Sequence, residues 1–505
     1  MQNMNTQQAN SQPLDQESQW IFWASFVALV ATAFGFIVRT QVINEWGAQF
    51  NLSDTQKGEI FGVGLWPFAL SIVLFSLVVD RIGYGKAMAF AFICHLASAI
   101  ITILAKGYWG LYFGTFIVAL GNGTVEAVVN PVVSTMFPRD KTKWLNILHA
   151  GWPGGLVLGG ILALIMGSVD WRLKVALILI PTVVYGVMLV GRQFPIQERV
   201  QAGISYKAML QEVGILGILI VVALVVSEIG RVFSWSISLQ LSVGIIILGC
   251  YSFYVRSWGR WMFFFLLLMM IPLATTELGT DSWITSLLAP EMGDLGIHPG
   301  WLLVYTSLIM MILRFLAGPF VHSLSPLGLL ATSSLVAAIG LIILSKSTGI
   351  TILLAATLYG LGKTFFWPTI LGVVAEQFPK GGALTLNAIA AVGTLSVGVV
   401  GAAFLGYVQD RVVEEKLQIK APTLYSRVMT QEKASLFGTY RSLNQHKLQE
   451  INNDHRLLIS KIQVTAKKNA LMTVAILPLV MVAGFLILML HFKLKGGYKP
   501  CKLIE

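Results

Sequence analysis

The chain has 505 residues, of which 56% are hydrophobic and 12% are charged, and its mean hydropathy is +0.75. Soluble domains of this size do not have such a composition, so the sequence predicts a membrane protein. The formal charge of +11 comes from Lys and Arg in short loops and tails between apolar runs, a distribution that excludes a nucleic-acid-binding face. Cys94, Cys250 and Cys501 form neither a disulfide framework nor a metal-ligand spacing.

Apolar runs long enough to cross a bilayer, which takes roughly 20 helical residues, follow one another along the chain. A first set of six begins near Trp20, Lys57, Gly85, Gly107, Lys143 and Trp171. Two more, Ile215–Val232 and Ile237–Tyr254, follow a polar linker. A second set of six begins near Trp261, Pro299, Pro326, Ile350, Gly382 and Asn469. The sequence therefore predicts an all-α membrane protein of about fourteen transmembrane helices in two bundles, with two extra helices between them.

A decapeptide recurs at the same place in both halves. Phe137–Asn146 reads F-P-R-D-K-T-K-W-L-N and Phe378–Asn387 reads F-P-K-G-G-A-L-T-L-N, so that 378 − 137 and 387 − 146 both equal 241. Apolar halves that repeat at a fixed offset are typical of transporters in which two bundles rock against each other. We expect Asn146 and Asn387 to face the central cavity at related depths.

Basic residues in the loops predict that both termini are cytoplasmic. The predicted organisation is a cytoplasmic tail (1–19), a first bundle (20–192), a linker with two peripheral helices (193–259), a second bundle (260–492) and a basic cytoplasmic tail (493–505). The first tail carries acids but no Lys or Arg, so we expect it to be retained rather than cleaved. The charged segment Gln409–Lys468 is expected to be a solvated, partly helical loop outside the membrane.

An acidic residue lies inside the fourth apolar run. Gly121–Pro131 reads G-N-G-T-V-E-A-V-V-N-P and places Glu126 where a carboxylate costs about 2.5–3.5 kcal/mol to insert. Such an acid either faces a cavity and has a function, or is satisfied by a hydrogen bond between helices. Gly121, Gly123 and Pro131 are also consistent with close helix packing and a bend.

The pattern G-x-G-x-x-E-x-x-x-N-P, followed about fifteen residues later by Leu-Asn, resembles the fourth and fifth helices of the fucose permease group of sugar:proton symporters, within the major facilitator superfamily. The loop D-R-I-G-Y-G-K is similar to that superfamily's signature, and T-E-L-G-T-D-S-W (276–283) resembles the group's seventh core helix. The resemblance covers both bundles and implies the major facilitator fold. It also implies a gating loop made of Asp80, Arg81, Gly83 and Lys86.

Carried to this chain, the resemblance makes Glu126 the protonatable carboxylate beside the sugar. His149 and Trp152 lie where those permeases have sugar-binding Gln and Asn. In the first helix, where the group has an essential Asp, this chain has Arg39, which does not release a proton. The residues expected to take part in proton coupling are Glu126, Arg39, Glu277 and Asp281.

Several charges remain open to two interpretations. Arg39 pairs with Glu45 or Glu126, or extends to the membrane interface. Glu277 and Asp281, one helical turn apart, either replace the missing acid or lie solvated at the outer mouth. The intramembrane cations Arg314 and Lys363 indicate either structural pairing or an anionic substrate.

A sugar presents C–H faces that stack on Trp and hydroxyls that bond to Asn, His and carboxylates. The substrate-binding residues expected on this basis and from the resemblance are Glu126, Asn130, Asn146, His149, Trp152, Trp283, Trp367 and Asn387. The alternative for each Trp is an interfacial or packing role.

Together these features predict a monomeric secondary transporter of the inner membrane. It would move a small polar solute by alternating access and in symport with protons, and a sugar is the principal candidate. The alternatives are a transporter of anions or organic acids, a sugar uniporter and a non-transporting sugar sensor. No catalytic set and no P-loop is visible, so we expect neither an enzyme nor a bound cofactor.

Overall fold

The computed structural model describes residues 15–281, 288, 292–293, 296–435, 437–444, 447–448 and 450–503. This part of the chain is almost entirely helical, and 12 helices are long and apolar enough to cross a membrane. Two further crossings consist of shorter helices: Gly300–Phe315, and Thr351–Lys363 followed by Phe366–Gln377. With them the described part of the chain contains the fourteen crossings that the sequence predicts.

The first bundle contains six crossings, three of which are interrupted helices. Asp15 caps the first helix by accepting a hydrogen bond from Ser18 N, and Pro67 occupies the first turn of another, where its missing N–H costs nothing. The helices are α1 (Gln16–Phe50), α2 (Asp54–Gly62), α3 (Trp66–Ile82), α4 (Tyr84–Ile103), α5 (Tyr108–Met136), α6 (Lys141–Leu148), α7 (Gly151–Ile165), α8 (Trp171–Ala176) and α9 (Leu179–Leu189).

The two bundles are joined by α10 (Glu198–Gln201), α11 (Tyr206–Val232) and α12 (Ile237–Val255). Of the described residues of α12, Val255 alone is buried, in agreement with a peripheral helix. The same expectation is wrong for α11, because 11 of its 27 residues are buried and it packs against the second bundle. Its Glu228 is 3% exposed and accepts a hydrogen bond from Arg231 at 2.6 Å. The sequence could not show which neighbour covers this helix.

The second bundle contains two segments of π-helix. These segments, Thr275–Gly279 and Val397–Ala402, pack against each other. The α-helices are α13 (Trp261–Ala274), α14 (Gly300–Phe315), α15 (Ala317–Leu324), α16 (Pro326–Lys346), α17 (Thr351–Lys363), α18 (Phe366–Gln377) and α19 (Gly382–Ser396), and a 3₁₀ turn (Pro379–Gly381) precedes α19.

The segment expected outside the membrane is a small folded unit. It contains α20 (Ala403–Lys420), α21 (Pro422–Val428), an antiparallel hairpin of β1 (Lys433–Ser435) and β2 (Gly438–Tyr440), and the start of α22 (Asn453–Val474). Val413, Leu417, Val428 and Ile459 belong to a hydrophobic core of its own. The last crossing is completed by α23 (Ile476–Leu494).

Candidate functional site

A cavity lies between the two bundles near the middle of the crossing helices. Its apolar wall includes Phe36, Phe61, Phe68, Trp152 and Trp367. Its polar groups are Asn122, Glu126, His149, Glu277, Asp281 and Arg314. Both bundles contribute to each set, so a solute in this cavity would touch the two halves of the molecule at once.

Helix α5 supplies three polar residues at intervals of four: Asn122, Glu126 and Asn130. This spacing places them on one face of the helix. Glu126 Oε1 accepts hydrogen bonds from Asn130 Nδ2 at 3.1 Å and from Trp367 Nε1 at 3.2 Å. Its Oε2 has no hydrogen-bond partner among the residues described. Because Oε1 is engaged by two N–H donors, Oε2 is the atom available to a proton or a solute.

The backbone of α5 lies very close to α3. A Cβ atom at Gly123 would be 2.2 Å from the carbonyl oxygen of Phe68. A side chain at position 123 would therefore push α5 away from α3 and displace Glu126, which lies one turn further along α5.

His149 lines the cavity and fixes the amide of Asn130. His149 Nε2 is 2.8 Å from Asn130 Oδ1, and since an amide oxygen only accepts, Nε2 carries the hydrogen. The same ring nitrogen is 3.9 Å from Glu126 Oε1. Asn130 is fully buried behind Glu126. The structure thus places His149 at the cavity as expected, and makes Asn130 a support of Glu126 rather than part of the wall.

Arg314 joins the bundles from the other side. Its Nη2 donates to Glu277 Oε1 at 2.7 Å, its Nη1 to the carbonyl oxygen of His149 at 2.9 Å, and its Nε to the carbonyl oxygen of Thr364 at 2.7 Å. Glu277 Oε2 accepts a hydrogen bond from the backbone N–H of Trp367 at 3.2 Å. Each of the three guanidinium nitrogens therefore donates one hydrogen bond, and both Glu277 oxygens accept one, without water.

Lys363 forms a second buried ion pair in the same bundle, with Asp281. Arg314 and Lys363 are thus paired structurally in this structure, which is one of the two interpretations that the sequence leaves open. Glu277 is 2% exposed and Asp281 is 9% exposed, so neither is a solvated charge at the outer mouth. Sequence spacing could not reveal their partners, which come from other helices.

A second cavity adjoins the first and contains Arg39. The two share Phe36, Phe61 and Asn122 in their walls. Arg39 is 8% exposed and donates to Gly35 O at 3.2 Å and to Ser98 Oγ at 2.7 Å.

The expected pairing of Arg39 with Glu45 or Glu126 is wrong. Glu45 pairs instead with Lys174 at 2.5 Å, and Glu126 is held by Asn130 and Trp367. In the part of the chain that the structure describes, no carboxylate lies within ion-pair distance of Arg39, and its Nε has no hydrogen-bond partner.

A buried chain of side chains supports Asn122. Tyr185 OH is 3.0 Å from His95 Nδ1, and His95 Nε2 is 2.9 Å from Asn122 Oδ1. The sequence analysis did not single out His95 or Tyr185. Because Asn122 precedes Glu126 by four residues, the sequence alone could have placed the two on one face of α5. The partners of Asn122 lie on other helices, α4 and α9, and this spacing does not reveal them.

Asn146 and Asn387 do not line either cavity, contrary to expectation. Both are fully buried where the bundles meet. Asn146 Nδ2 donates to Thr369 Oγ1 of the second bundle at 3.1 Å, and Asn387 Nδ2 donates to Ala127 O of the first bundle at 3.0 Å. The repeat in the sequence predicts that these two helix faces are buried between the bundles. It does not show whether a buried face lines the cavity or packs directly against the other bundle.

The bundles are in contact on the predicted cytoplasmic side. Glu376 Oε1 accepts from Thr142 Oγ1 at 2.5 Å and from Thr142 N at 3.2 Å, while its Oε2 accepts from Tyr498 OH at 2.7 Å. Lys141 pairs with Glu198 of the linker at 2.5 Å. The carbonyl oxygen of Lys499 accepts from Gln377 Nε2 at 2.9 Å. The linker thus bonds to the first bundle, and the C-terminal tail to the second, directly beside the contact of Thr142 with Glu376.

The expected gating loop contacts the linker and α11. Asp80 pairs with Arg199 of the linker, and Arg81 lies 4.6 Å from the ring centre of Tyr206. Gly83 ends α3 at a φ of 87°, which favours glycine. Lys86 is exposed.

The remaining expected site residue, Trp283, lies outside the described residues. Trp66 contacts Phe116 and Phe233, at ring-centre distances of 5.6 and 6.0 Å.

Two helical bundles around a central cavity with buried ionisable groups define a membrane transporter. The sequence profile of the Major Facilitator Superfamily matches residues 20–290. The chain therefore belongs to this superfamily.

Relatives in sequence include a gentisate transporter of Corynebacterium glutamicum, 24% identical over 179 residues that cover 34% of this chain and 40% of the relative. A hexuronate transporter of Bacillus subtilis is 26% identical over 139 residues, which cover 27% of this chain and 33% of the relative. The chain thus aligns with less than half the length of either relative.

Solved structures share the fold at low sequence identity. The fucose:proton symporter of E. coli has a TM-score of 0.56 at 14% identity, covering 91% of this chain and 99% of that chain. A proton:xylose symporter has a TM-score of 0.60 at 13% identity, covering 95% and 96%. The likeness extends over both bundles, as the sequence resemblance to the fucose permease group implies.

Proposed function

We propose that the protein is a monomeric secondary transporter of the inner membrane that carries a small hydroxylated organic acid, such as a sugar acid, in symport with protons. The observation that carries this proposal is the buried guanidinium of Arg39, which lines a cavity without a carboxylate partner in the described part of the chain. A buried cation without a counter-ion is costly, and a planar guanidinium matches the geometry of a carboxylate.

The rest of the cavity suits a solute with an apolar face and several hydroxyls. Trp152 and Trp367 offer surfaces for a ring, and Asn122, Glu126 and His149 offer polar atoms beside them. The gentisate and hexuronate transporters to which the chain is similar are named for acids of this kind. Both Arg314 and Lys363 already have acidic partners, which leaves Arg39 as the group for a substrate carboxylate.

Glu126 is the proposed coupling residue. Glu126 lines the cavity, and its Oε2 has no partner in the region described, so it is open to a proton, whereas Glu277 and Asp281 are held by cations. An anionic solute brings a negative charge into the cavity. A proton that enters with it and binds Glu126 Oε2 would offset that charge.

A neutral sugar is the second candidate. The part of the cavity next to Glu126 combines tryptophans with amide and imidazole groups, and the fold is that of the fucose and xylose symporters. A neutral sugar would bind there without needing Arg39.

Uptake into proteoliposomes under an inward proton gradient distinguishes the candidates. We expect accumulation of D-glucuronate or gentisate, and a loss of at least tenfold in Arg39→Gln but less in Arg39→Lys, which keeps the charge. Arg172→Gln, at a partly exposed arginine paired with Asp170, is the control. Uptake of L-fucose or D-xylose that Arg39→Gln leaves unchanged would favour the neutral sugar. Binding without uptake would contradict transport.

A further inference from the structure

We infer that Asn122 presents its amide N–H groups to the substrate as fixed hydrogen-bond donors, and that Tyr185 and His95 set this orientation. The inference rests on the proposed transport through this cavity and identifies a residue that determines specificity there. It concerns the substrate group that lies between the carboxylate at Arg39 and the proton site at Glu126.

The position of Asn122 is the first argument. It is the polar residue common to the walls of both cavities, the one with Glu126 and the one with Arg39. It precedes Glu126 by one helical turn, a rise of about 6 Å. Its side chain is 7% exposed, and Nδ2 has no hydrogen-bond partner in the described part of the chain. A solute that reaches from Arg39 to Glu126 therefore passes this amide.

The hydrogen-bond chain behind Asn122 decides which amide atom faces the cavity. The phenol of Tyr185 can donate to His95 Nδ1, which leaves the hydrogen of the neutral ring on Nε2. Nε2–H then donates to Asn122 Oδ1, and Nδ2 is directed to the cavity. A doubly protonated ring would also donate from Nε2, so both of these states give the same orientation of the amide.

The packing of α4 against α5 holds these hydrogen-bonded side chains in place. A Cβ atom at Gly121 would lie 2.7 Å from His95 Cδ2, so the ring reaches Asn122 because residue 121 is glycine. Ser98, one turn beyond His95 on α4, accepts the hydrogen bond of Arg39 and donates to Gly114 O. One face of α4 thus positions both Asn122 and Arg39.

The site should therefore prefer substrates that place an oxygen next to Asn122 to accept a hydrogen bond from its amide. A hydroxyl or carboxylate oxygen about one helical turn from the group at Glu126 would bond to the amide N–H. A methylene at that point would leave a buried donor without a partner, which lowers affinity by about 10- to 100-fold.

The orientation is tested without any substrate. We would record nitrogen NMR spectra of ¹⁵N-histidine-labelled protein and assign His95 by its absence in His95→Gln. We expect hydrogen on Nε2 of His95 in the wild type, and a second population with hydrogen on Nδ1 in Tyr185→Phe, which lacks the phenol donor. Tyr251→Phe, which removes a phenol that donates to Leu210 O, should leave the wild-type signal. A wild-type ring with hydrogen on Nδ1 alone would overturn the inference.

A second experiment tests whether Asn122 recognises one particular hydroxyl of the substrate. Uptake of D-glucuronate is compared with that of its monodeoxy analogues in the wild type and in Asn122→Leu, which is similar in size but has no amide. We expect one analogue to have a KM about 10- to 100-fold higher in the wild type, and this difference to vanish in Asn122→Leu. Equal discrimination in both proteins would overturn the assignment.

Should the wild type carry L-fucose instead, the same comparison is made with deoxy analogues of that sugar. If no solute of either class is taken up, the proposed function fails, and the nitrogen spectrum still decides the orientation of Asn122.

Discussion

The indole Nε1 of Trp367 donates a hydrogen bond to Oε1 of Glu126 across 241 positions of the sequence, the same offset that separates the two copies of the repeated decapeptide. The two residues are therefore equivalent by the repeat. One bundle supplies the carboxylate and the other supplies its N–H donor. An N–H bond to a charged carboxylate is stronger than one to a neutral acid, so the charge of Glu126 affects how firmly the bundles hold each other.

Glu126→Gln is expected to retain exchange of substrate across the membrane and to lose accumulation driven by a proton gradient. Glutamine keeps the shape and hydrogen-bonding capacity of the side chain but does not titrate. Exchange and net uptake in proteoliposomes measure the two properties separately. Trp367→Phe, which keeps the acid, should still respond to the gradient. Wild-type uptake that ignores pH and protonophore, together with loss of exchange in Glu126→Gln, would mean that Glu126 only binds substrate.

Arg314→Met is expected to lower the free energy of unfolding by about 3–5 kcal/mol, because it leaves the buried Glu277 without its cation. Adding Glu277→Gln should recover much of that loss. Arg172→Met, at a pair whose side chains are 36% and 55% exposed, should cost less than about 1 kcal/mol. Denaturant unfolding of the purified protein in detergent measures all three. A loss in the double variant as large as in Arg314→Met would contradict the pairing argument.

Asn146→Ala is expected to favour separation of the bundles on the predicted cytoplasmic side, because it removes the hydrogen bond to Thr369. Spin labels at Arg139 and Lys380, two exposed positions that also differ by 241, report the distance between the bundles in a background without native cysteines.

In the same assay Thr369→Val should add little to Asn146→Ala, since both remove one contact. Asn387→Ala, which removes the separate bond to Ala127 O, should add its own effect. Full additivity of Asn146→Ala and Thr369→Val would show that the contact does not hold the bundles.

Tyr498→Phe is expected to weaken closure of the same interface by at most about 1 kcal/mol, because Tyr498 OH holds the Glu376 carboxylate that accepts from Thr142. Burial, together with the adjacent Glu376 carboxylate, raises the pKa of Tyr498 well above its usual value. The phenol therefore stays neutral, and its contribution is present below the ordinary tyrosine pKa and is lost only as the pH rises through the higher value. The wild-type-to-Phe difference in spin-label distances should be constant from pH 6 to 9, and a difference that disappears within that range would contradict this account.

Ser435→Cys, in the hairpin of the small folded unit, should react with a membrane-impermeant maleimide added from outside whole cells. This result follows from the odd number of crossings, thirteen of the fourteen, that precede this unit, and from a cytoplasmic N-terminus. A background without native cysteines removes labelling at Cys250 and Cys501, which are exposed. Labelling from the cytoplasmic side alone would show that the predicted orientation is wrong.

The sequence predicted the architecture because hydropathy and the repeated decapeptide act over whole helices. It also identified Glu126, since a carboxylate in an apolar run is conspicuous wherever it points. It did not predict that Asn146 and Asn387 seal an interface, because both a cavity and a helix contact favour a buried amide. Contacts such as His95 with Asn122 depend on how α4 packs on α5, and that packing is not encoded by spacing along one helix.

The same limit explains the error at Arg39. Charge complementarity suggested Glu45 or Glu126 as its partner, but each of these acids has nearer donors, in Lys174 and in Asn130 with Trp367. Partner choice among several buried charges is decided by distances between helices. A sequence lists the candidates without those distances.

The π-helix at Thr275–Gly279 contains Glu277 and ends two residues before Asp281. A π turn accommodates one residue more than an α turn does. Returning it to α-helical geometry would advance the residues on one side by about 1.5 Å and rotate them by about 100° about the helix axis. Such a register change would turn the two carboxylates away from Arg314 and Lys363 without unfolding the helix, so this crossing contains, within its own backbone, the means to exchange its buried ion pairs for contacts with a solute.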